Sequence, residues 1–201
     1  MRWLPLIFVL QFGLLALVLP LARLHRRHGT WGIARPRDPV HRVMVTALLS
    51  AVGLFFGWSL AAGLAGPEVL GIWPAPAWMM GVGVAVGVAG LGLVVAAQTG
   101  MGASWRIGVT EERTGLVTTG LYAAIRHPIY TGLYALLVAL VLLTPAPWTV
   151  MGALWLGSLL ALQARLEEAH LARVHGAVFL AWAARTGRFL PGLGRLDSEG
   201  A

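Results

Sequence analysis

The sequence predicts an all-α, polytopic membrane bundle of about five transmembrane helices, with a cytoplasmic helical extension towards its C-terminus. Three observations carry this expectation. Of 201 residues, 58% are hydrophobic and 11% charged, whereas an ordinary soluble domain carries ~25% charged residues. Mean hydropathy is +0.76. The apolar residues also fall into blocks, and roughly 20 apolar residues in a helix cross a hydrocarbon core of ~30 Å. These blocks follow one another along the whole chain. Residues 1–201 therefore read as a single membrane domain: three spans in 1–98, a polar-rich region at 99–192 and a tail at 193–201.

Leu4–Ala22 is the first span. A cleaved signal peptide would carry its positive charge before the apolar run and a small-residue cleavage site after it. Here the arginines come after the run, and Pro20 interrupts the site. Val43–Ala65 and Trp78–Gln98 are the second and third spans. Ile129–Leu143 and Trp148–Ala164 are shorter, about 15 to 17 residues or ~23–26 Å at 1.5 Å per residue. The Thr144-Pro145-Ala146-Pro147 stretch between them is too short for a domain linker and implies a helical hairpin. No proline interrupts Trp148 to Leu190, so the fifth span is expected to run on into the cytoplasm as one long helix.

Charge orients the bundle. The net charge of +7 comes from arginine alone, since the chain has no lysine. Arg23, Arg26, Arg27, Arg35, Arg37 and Arg42 lie between spans one and two. Arg106, Arg113 and Arg126 lie between spans three and four, and Arg165, Arg173, Arg185, Arg188 and Arg195 follow span five. Positive loops stay in the cytoplasm. The expected arrangement has the N-terminus outside, and the active site and C-terminus cytoplasmic. The membrane explains the basic balance without a nucleic-acid partner. The absence of cysteine excludes disulfides, thiolate metal sites and cysteine nucleophiles.

The third span contains GVGVAVGVAGLG from Gly81 to Gly92. A dinucleotide fingerprint fails there: the sixth position is Val86, and no strand–turn–helix context exists. Small residues at four-residue spacing, such as Gly83 and Gly87, instead let membrane helices pack closely.

Polar chemistry gathers in Thr99–Gly132 and Arg165–Gly192. In Arg126-His127-Pro128, proline suits the first turn of a helix, where its missing N–H costs nothing. Pro128 should therefore open span four, placing Arg126 and His127 at a helix N-terminus that favours anions. Tyr130 follows on roughly the same face. Glu167 and Glu168 flank the head of an apolar stripe formed by Leu171, Val174, Val178 and Trp182. Carboxylates at that depth are costly unless wet, paired or used, and Arg165 or Arg173 could pair with Glu168. His170 and His175 are five apart rather than four, so no metal site is expected. Asp38 and Asp197 are the only aspartates, and no serine sits in a nucleophile elbow.

Together the two segments resemble the isoprenylcysteine carboxyl methyltransferase family, which includes bacterial phospholipid methyltransferase-like proteins. The first signature, GLY-x3-RHP-x-Y-x-G, is met by Gly120, Leu121, Tyr122, Arg126, His127, Pro128, Tyr130 and Gly132. The second, EE-x2-L-x4-G-x2-Y-x2-Y followed by R-F-x-P, reads Glu167, Glu168, Leu171, Gly176, Phe179, Trp182, Arg188, Phe189 and Pro191. GASWRIG, ahead of the first signature, also resembles bacterial members. The likeness covers about residues 100–192. Phe179 and Trp182 replace the tyrosines of the second signature, and His175 replaces its phenylalanine.

The resemblance implies methylation of a membrane lipid or lipidated, prenylated substrate with S-adenosylmethionine. Leu121, Tyr122, Arg126, His127, Tyr130, Glu167 and Glu168 would line the cofactor pocket, with Gly100 and Gly102 contributing as in the phospholipid branch. Glu168 and Arg165 are the expected catalytic pair: a base for an amine, or an arginine to orient a carboxylate. Two other classes remain open at this point. One is a membrane reductase of related architecture using NADPH; the other is a non-enzymatic membrane protein. Broken-helix pairs of the kind used by transporters are absent from the sequence pattern.

Overall fold

The computed structural model describes residues 3–29, 39–101 and 115–196. Gly102, like Arg106 and Arg113, lies outside the described residues. The described chain is a helical bundle, in agreement with the expected fold class. Its elements are α1 (Leu4–Phe12), a π-helical segment (Gly13–Val18), α2 (Leu19–His28), α3 (Pro39–Ala65), α4 (Ala77–Met101), α5 (Pro128–Leu143), α6 (Pro147–His175) and α7 (Ala177–Ala183). Leu4–Ala22, Arg42–Ala65, Ala77–Met101 and Pro147–His175 are long and apolar enough to cross a membrane; α5 is shorter.

The first span keeps its helical path through Pro20 by changing register. A proline ring clashes with the carbonyl four residues earlier, here that of Ala16. A widened π turn is one of the ways a helix relieves such a clash, and Gly13–Val18 adopts it immediately before Pro20.

α4 and α5 form the tightest pair. Gly83, Gly87, Gly90, Leu91, Val94, Ala97 and Gln98 are the buried positions of α4. A methyl group on Gly90 would stand 2.8 Å from the Gly132 carbonyl oxygen, and one on Gly132 would stand 2.6 Å from Val94 Cγ2. Neither could be accommodated at this separation. The glycine-rich run thus serves helix packing, as its spacing predicts, and Gly132 of the first signature is the matching half of the contact. Ala51 of α3, Leu137 of α5, and Leu156 and Leu160 of α6 close a second core cluster. The outward residues Leu54, Leu64, Val88 and Leu154 are 60–68% exposed, as expected for side chains facing lipid tails.

One sequence expectation changes here. Fifth-span and extension residues do not form one continuous helix. α6 ends at His175, and Gly176 takes φ 54°, ψ −131°, a backbone state open essentially to glycine. The apolar stripe is consequently broken: Val178 is exposed, while Phe179 and Trp182 turn inwards beside Ala97 and Tyr122. Span four is opened by Pro128 and is 16 residues long, as short as the sequence predicts. Its length is ~24 Å at 1.5 Å per residue.

Candidate functional site

The site forms where the start of α5, the lower half of α6 and the segment after α7 meet. Backbone pairing brings them together. Arg126 N–H donates to the Gly187 carbonyl at 2.8 Å, His127 N–H to Arg188 at 3.0 Å, and Gly187 N–H to Ala124 at 3.1 Å. Ile125 and Gly187 form a parallel bridge. Thr131 Oγ1 donates to the Phe189 carbonyl at 2.6 Å. The R-F-x-P end of the second signature is thereby seated on the RHP of the first.

Arg126 completes that junction. Its side chain is almost fully buried. Nε donates to Glu168 Oε1 at 2.8 Å, and Nη1 to the Ala183 carbonyl at 2.8 Å. Nη1 also reaches the Thr186 carbonyl, and Nη2 donates to the Gly194 carbonyl at 2.6 Å. A guanidinium offers five N–H donors in a rigid fork, and this one spends most of them on the protein itself.

Glu168 sits on the other side of this guanidinium and is 5% exposed. Arg188 Nη2 donates to its Oε2 at 2.6 Å and Arg188 Nε to both oxygens at 3.1 Å. His127 Nε2 lies 3.3 Å from Oε1. Its partners are Arg126 and Arg188, not Arg165 or Arg173. Arg165 and Arg173 are exposed on the outer face of α6. Two guanidiniums around one buried carboxylate make a compensated ionic core.

Glu167 behaves differently. It accepts from Tyr130 Oη at 2.5 Å and from Gln163 Nε2 at 3.0 Å, and its Oε2 lies 3.7 Å from His127 Nδ1. The His127 and Tyr130 rings stack with centroids 5.3 Å apart and planes 8° apart. Phe189 closes on His127 at 6.0 Å and on Tyr134 at 5.2 Å. Below them Tyr122 Oη donates to the Ala97 carbonyl at 3.4 Å, and Trp182 Nε1 donates to the Tyr122 carbonyl at 2.9 Å. Burial, followed by the nearby Glu167 charge, pushes the Tyr122 hydroxyl well above its ordinary pKa, so it remains a donor.

A cavity of about 420 Å³ opens against this wall, within the ~300–1,000 Å³ range of small-molecule sites. Its polar end is formed by Gln98, Tyr122, Arg126, His127, Tyr130, Gln163 and Glu167. The rest is apolar, lined from α1, α3, α5 and α6 by residues such as Phe8, Val45, Leu48, Leu137 and Leu160. Leu49 on its rim is 60% exposed, so the apolar part opens on the lipid-facing side of the bundle. Glu168, Arg165, Leu121 and Gly100 do not line it. Gly100 stands at the edge, a would-be methyl on it lying 4.0 Å from the Tyr122 ring. Gln163 is the residue that motif reasoning missed. A lone buried amide in an apolar helix, one turn before a carboxylate, was the available signal.

The phospholipid methyltransferase family model matches residues 78–178, half of the chain. The chain belongs to the phospholipid methyltransferase family. The family match spans α4, α5 and α6, and so contains Tyr130, Gln163, Glu167 and Glu168 of the site. Among solved structures, the chain is similar in fold to a eukaryotic intramembrane Ras methyltransferase, isoprenylcysteine carboxyl methyltransferase. The TM-score is 0.57 at 17% identity, covering 87% of this chain and 61% of that one. This chain therefore spans about three-fifths of that protein, and the likeness establishes the shared fold. No curated protein matches it in sequence. This phospholipid methyltransferase family member is thus an integral membrane protein of a methyltransferase fold, with its two sequence signatures assembled at one end of the bundle.

Proposed function

We propose that the protein transfers a methyl group from S-adenosylmethionine to the polar head of a membrane lipid or lipidated substrate. The observation that carries this reading is the two-character cavity. One end presents a carboxylate, an amide side chain and stacked aromatic rings; the other is apolar and opens sideways towards the bilayer.

The polar end fits a cationic cofactor. Glu167 supplies negative charge, the His127–Tyr130 stack supplies ring faces that attract cations, and Gln163 Oε1 is buried with no hydrogen-bond partner among the described residues. S-adenosylmethionine bound there supplies a methyl group on a sulfonium, ready for in-line displacement. The chain's own contribution is orientation, which can supply ~7–11 kcal/mol of such a barrier. Tyr130 and Gln163 pin Oε1 of Glu167 from two sides, so the carboxylate keeps one direction. His127 is held between Glu167 and Glu168, and Phe189 covers it from the C-terminal segment. In this reading Glu168 positions Arg126, Arg188 and His127 rather than touching the reacting atoms. Arg165, exposed on the far face of α6, takes no part in the transfer. Gly100 supports the Tyr122 edge of the pocket.

The apolar end takes the chain of the substrate directly from the membrane. By the arginine distribution, the site and the C-terminus face the cytoplasm and the N-terminus faces outside. A water-soluble cofactor and a lipid then meet at the boundary between their two solvents.

Calorimetry of the detergent-purified protein tests this. S-adenosylmethionine should bind at micromolar concentration, and Glu167→Ala or His127→Ala should weaken it about tenfold or more, as for a lost charge-assisted contact. NADPH should give no heat of binding. Binding of NADPH alone would replace this reading with a reductase.

A further inference from the structure

Resting on the methyltransferase reading above, we propose that Gln163 is a ligand-contacting residue. Its side-chain oxygen accepts a hydrogen bond from an N–H or O–H group of the bound molecule and so selects for ligands that carry such a donor.

Its partner fixes the orientation of the amide. Gln163 is 3% exposed and lines the cavity. Its Nε2 donates to Glu167 Oε1 at 3.0 Å. A carboxylate only accepts, so turning the amide over would set two acceptors face to face. Nε2 is therefore committed to Glu167, and Oε1 is the atom left over. That oxygen has no hydrogen-bond partner among the described residues. A buried acceptor without a donor is costly, and native structures rarely leave one without a reason. The backbone offers no competitor, because the carbonyl and amide groups around residue 163 are engaged within α6.

The chemistry required is a hydroxyl or an ammonium N–H. Two sources could bring it: the ribose hydroxyls and ammonium of the nucleoside cofactor, or an amine head on the lipid. A site that holds a donor rejects the analogue lacking it, because the acceptor is then buried unpaired.

The test is a coupling measurement by calorimetry, independent of turnover. Wild-type protein and Gln163→Met are each titrated with S-adenosylhomocysteine and with versions lacking the 2′-hydroxyl, the 3′-hydroxyl or the ammonium group. A second arm uses a short-chain lipid with a primary ammonium head and its trimethylated counterpart, which has no N–H. One donor deletion should cost about tenfold or more in the wild type and nothing further in Gln163→Met. The arm in which this occurs identifies the source. Equal losses in both proteins for every deletion would overturn the role of Gln163. A wild-type protein that binds no adenosyl compound would instead overturn the methyltransferase reading. If Gln163→Met loses its monodisperse elution in detergent, Gln163→Asn takes its place. It keeps the amide but withdraws the oxygen by one carbon, and the same coupling is expected.

Discussion

At the residue scale, neighbouring carboxylates have been given opposite work. Glu168 is enclosed by Arg126, Arg188 and His127, whereas Glu167 meets the cavity with Tyr130 and Gln163 behind it. Removing one partner of a buried ion pair leaves a bare charge, at a cost of ~3–5 kcal/mol. Arg126→Ala should therefore lower the melting temperature in detergent steeply. Arg126→Lys should recover little, because an ammonium cannot serve a carboxylate and three separate carbonyls through one planar fork. A melt of Arg126→Lys close to the wild type would refute the junction role. Tyr130→Phe removes the 2.5 Å bond to Glu167 and leaves the ring stack. S-adenosylmethionine affinity should drop roughly tenfold with the melting temperature little changed. Unaltered affinity would show that Glu167 needs no such support.

At the element scale, glycine decides two things. Gly90 and Gly132 let α4 and α5 approach until backbone meets backbone. Gly132→Ala forces a methyl group into that contact, and overpacking of this kind costs ~1–3 kcal/mol. Thermal unfolding in detergent should register it, and an unchanged midpoint would mean the two helices can separate freely. Gly176 ends α6 with a positive φ of 54°. Residues held in such regions without glycine cost ~1–3 kcal/mol. Gly176→Ala should therefore destabilise the protein and loosen α7, whose Phe179 and Trp182 pack on Tyr122 and Ala97. Amide hydrogen exchange of residues 177–186 should rise; retained protection there would argue that α7 docks independently of the break.

At the scale of the whole molecule, the site depends on a segment remote in sequence from the helices it completes. Residues 183–194 supply Arg188, the cover of Phe189 and the carbonyls that hold Arg126. A chain ended after Ala184 should keep its transmembrane helicity by circular dichroism and lose cofactor binding. The native sequence has no cysteine, which makes orientation directly measurable. Glu68→Cys, in the loop between α3 and α4, should react with an impermeant maleimide added outside cells, and Arg173→Cys only after the membrane is opened. The reverse pattern would place the site on the outer face.

The sequence by itself determined the spans, the helix start at Pro128, the packing use of the glycine-rich run and the two signatures that converge. These follow from quantities local in sequence: apolar length, proline's missing donor and small-residue spacing. Tertiary structure alone decided which carboxylate faces the cavity. Consecutive residues on a helix point ~100° apart, so Glu167 and Glu168 must diverge, but only the neighbouring chains determine which way each one points. The same holds for Arg126, whose carbonyl partners lie 57 to 68 residues away. It holds also for Gln163, whose oxygen has no partner among the described residues, a fact visible only once Glu167 has taken its amide nitrogen. A partner brought in from distant sequence leaves no periodicity to read, and that is where the physical chemistry of this site resides.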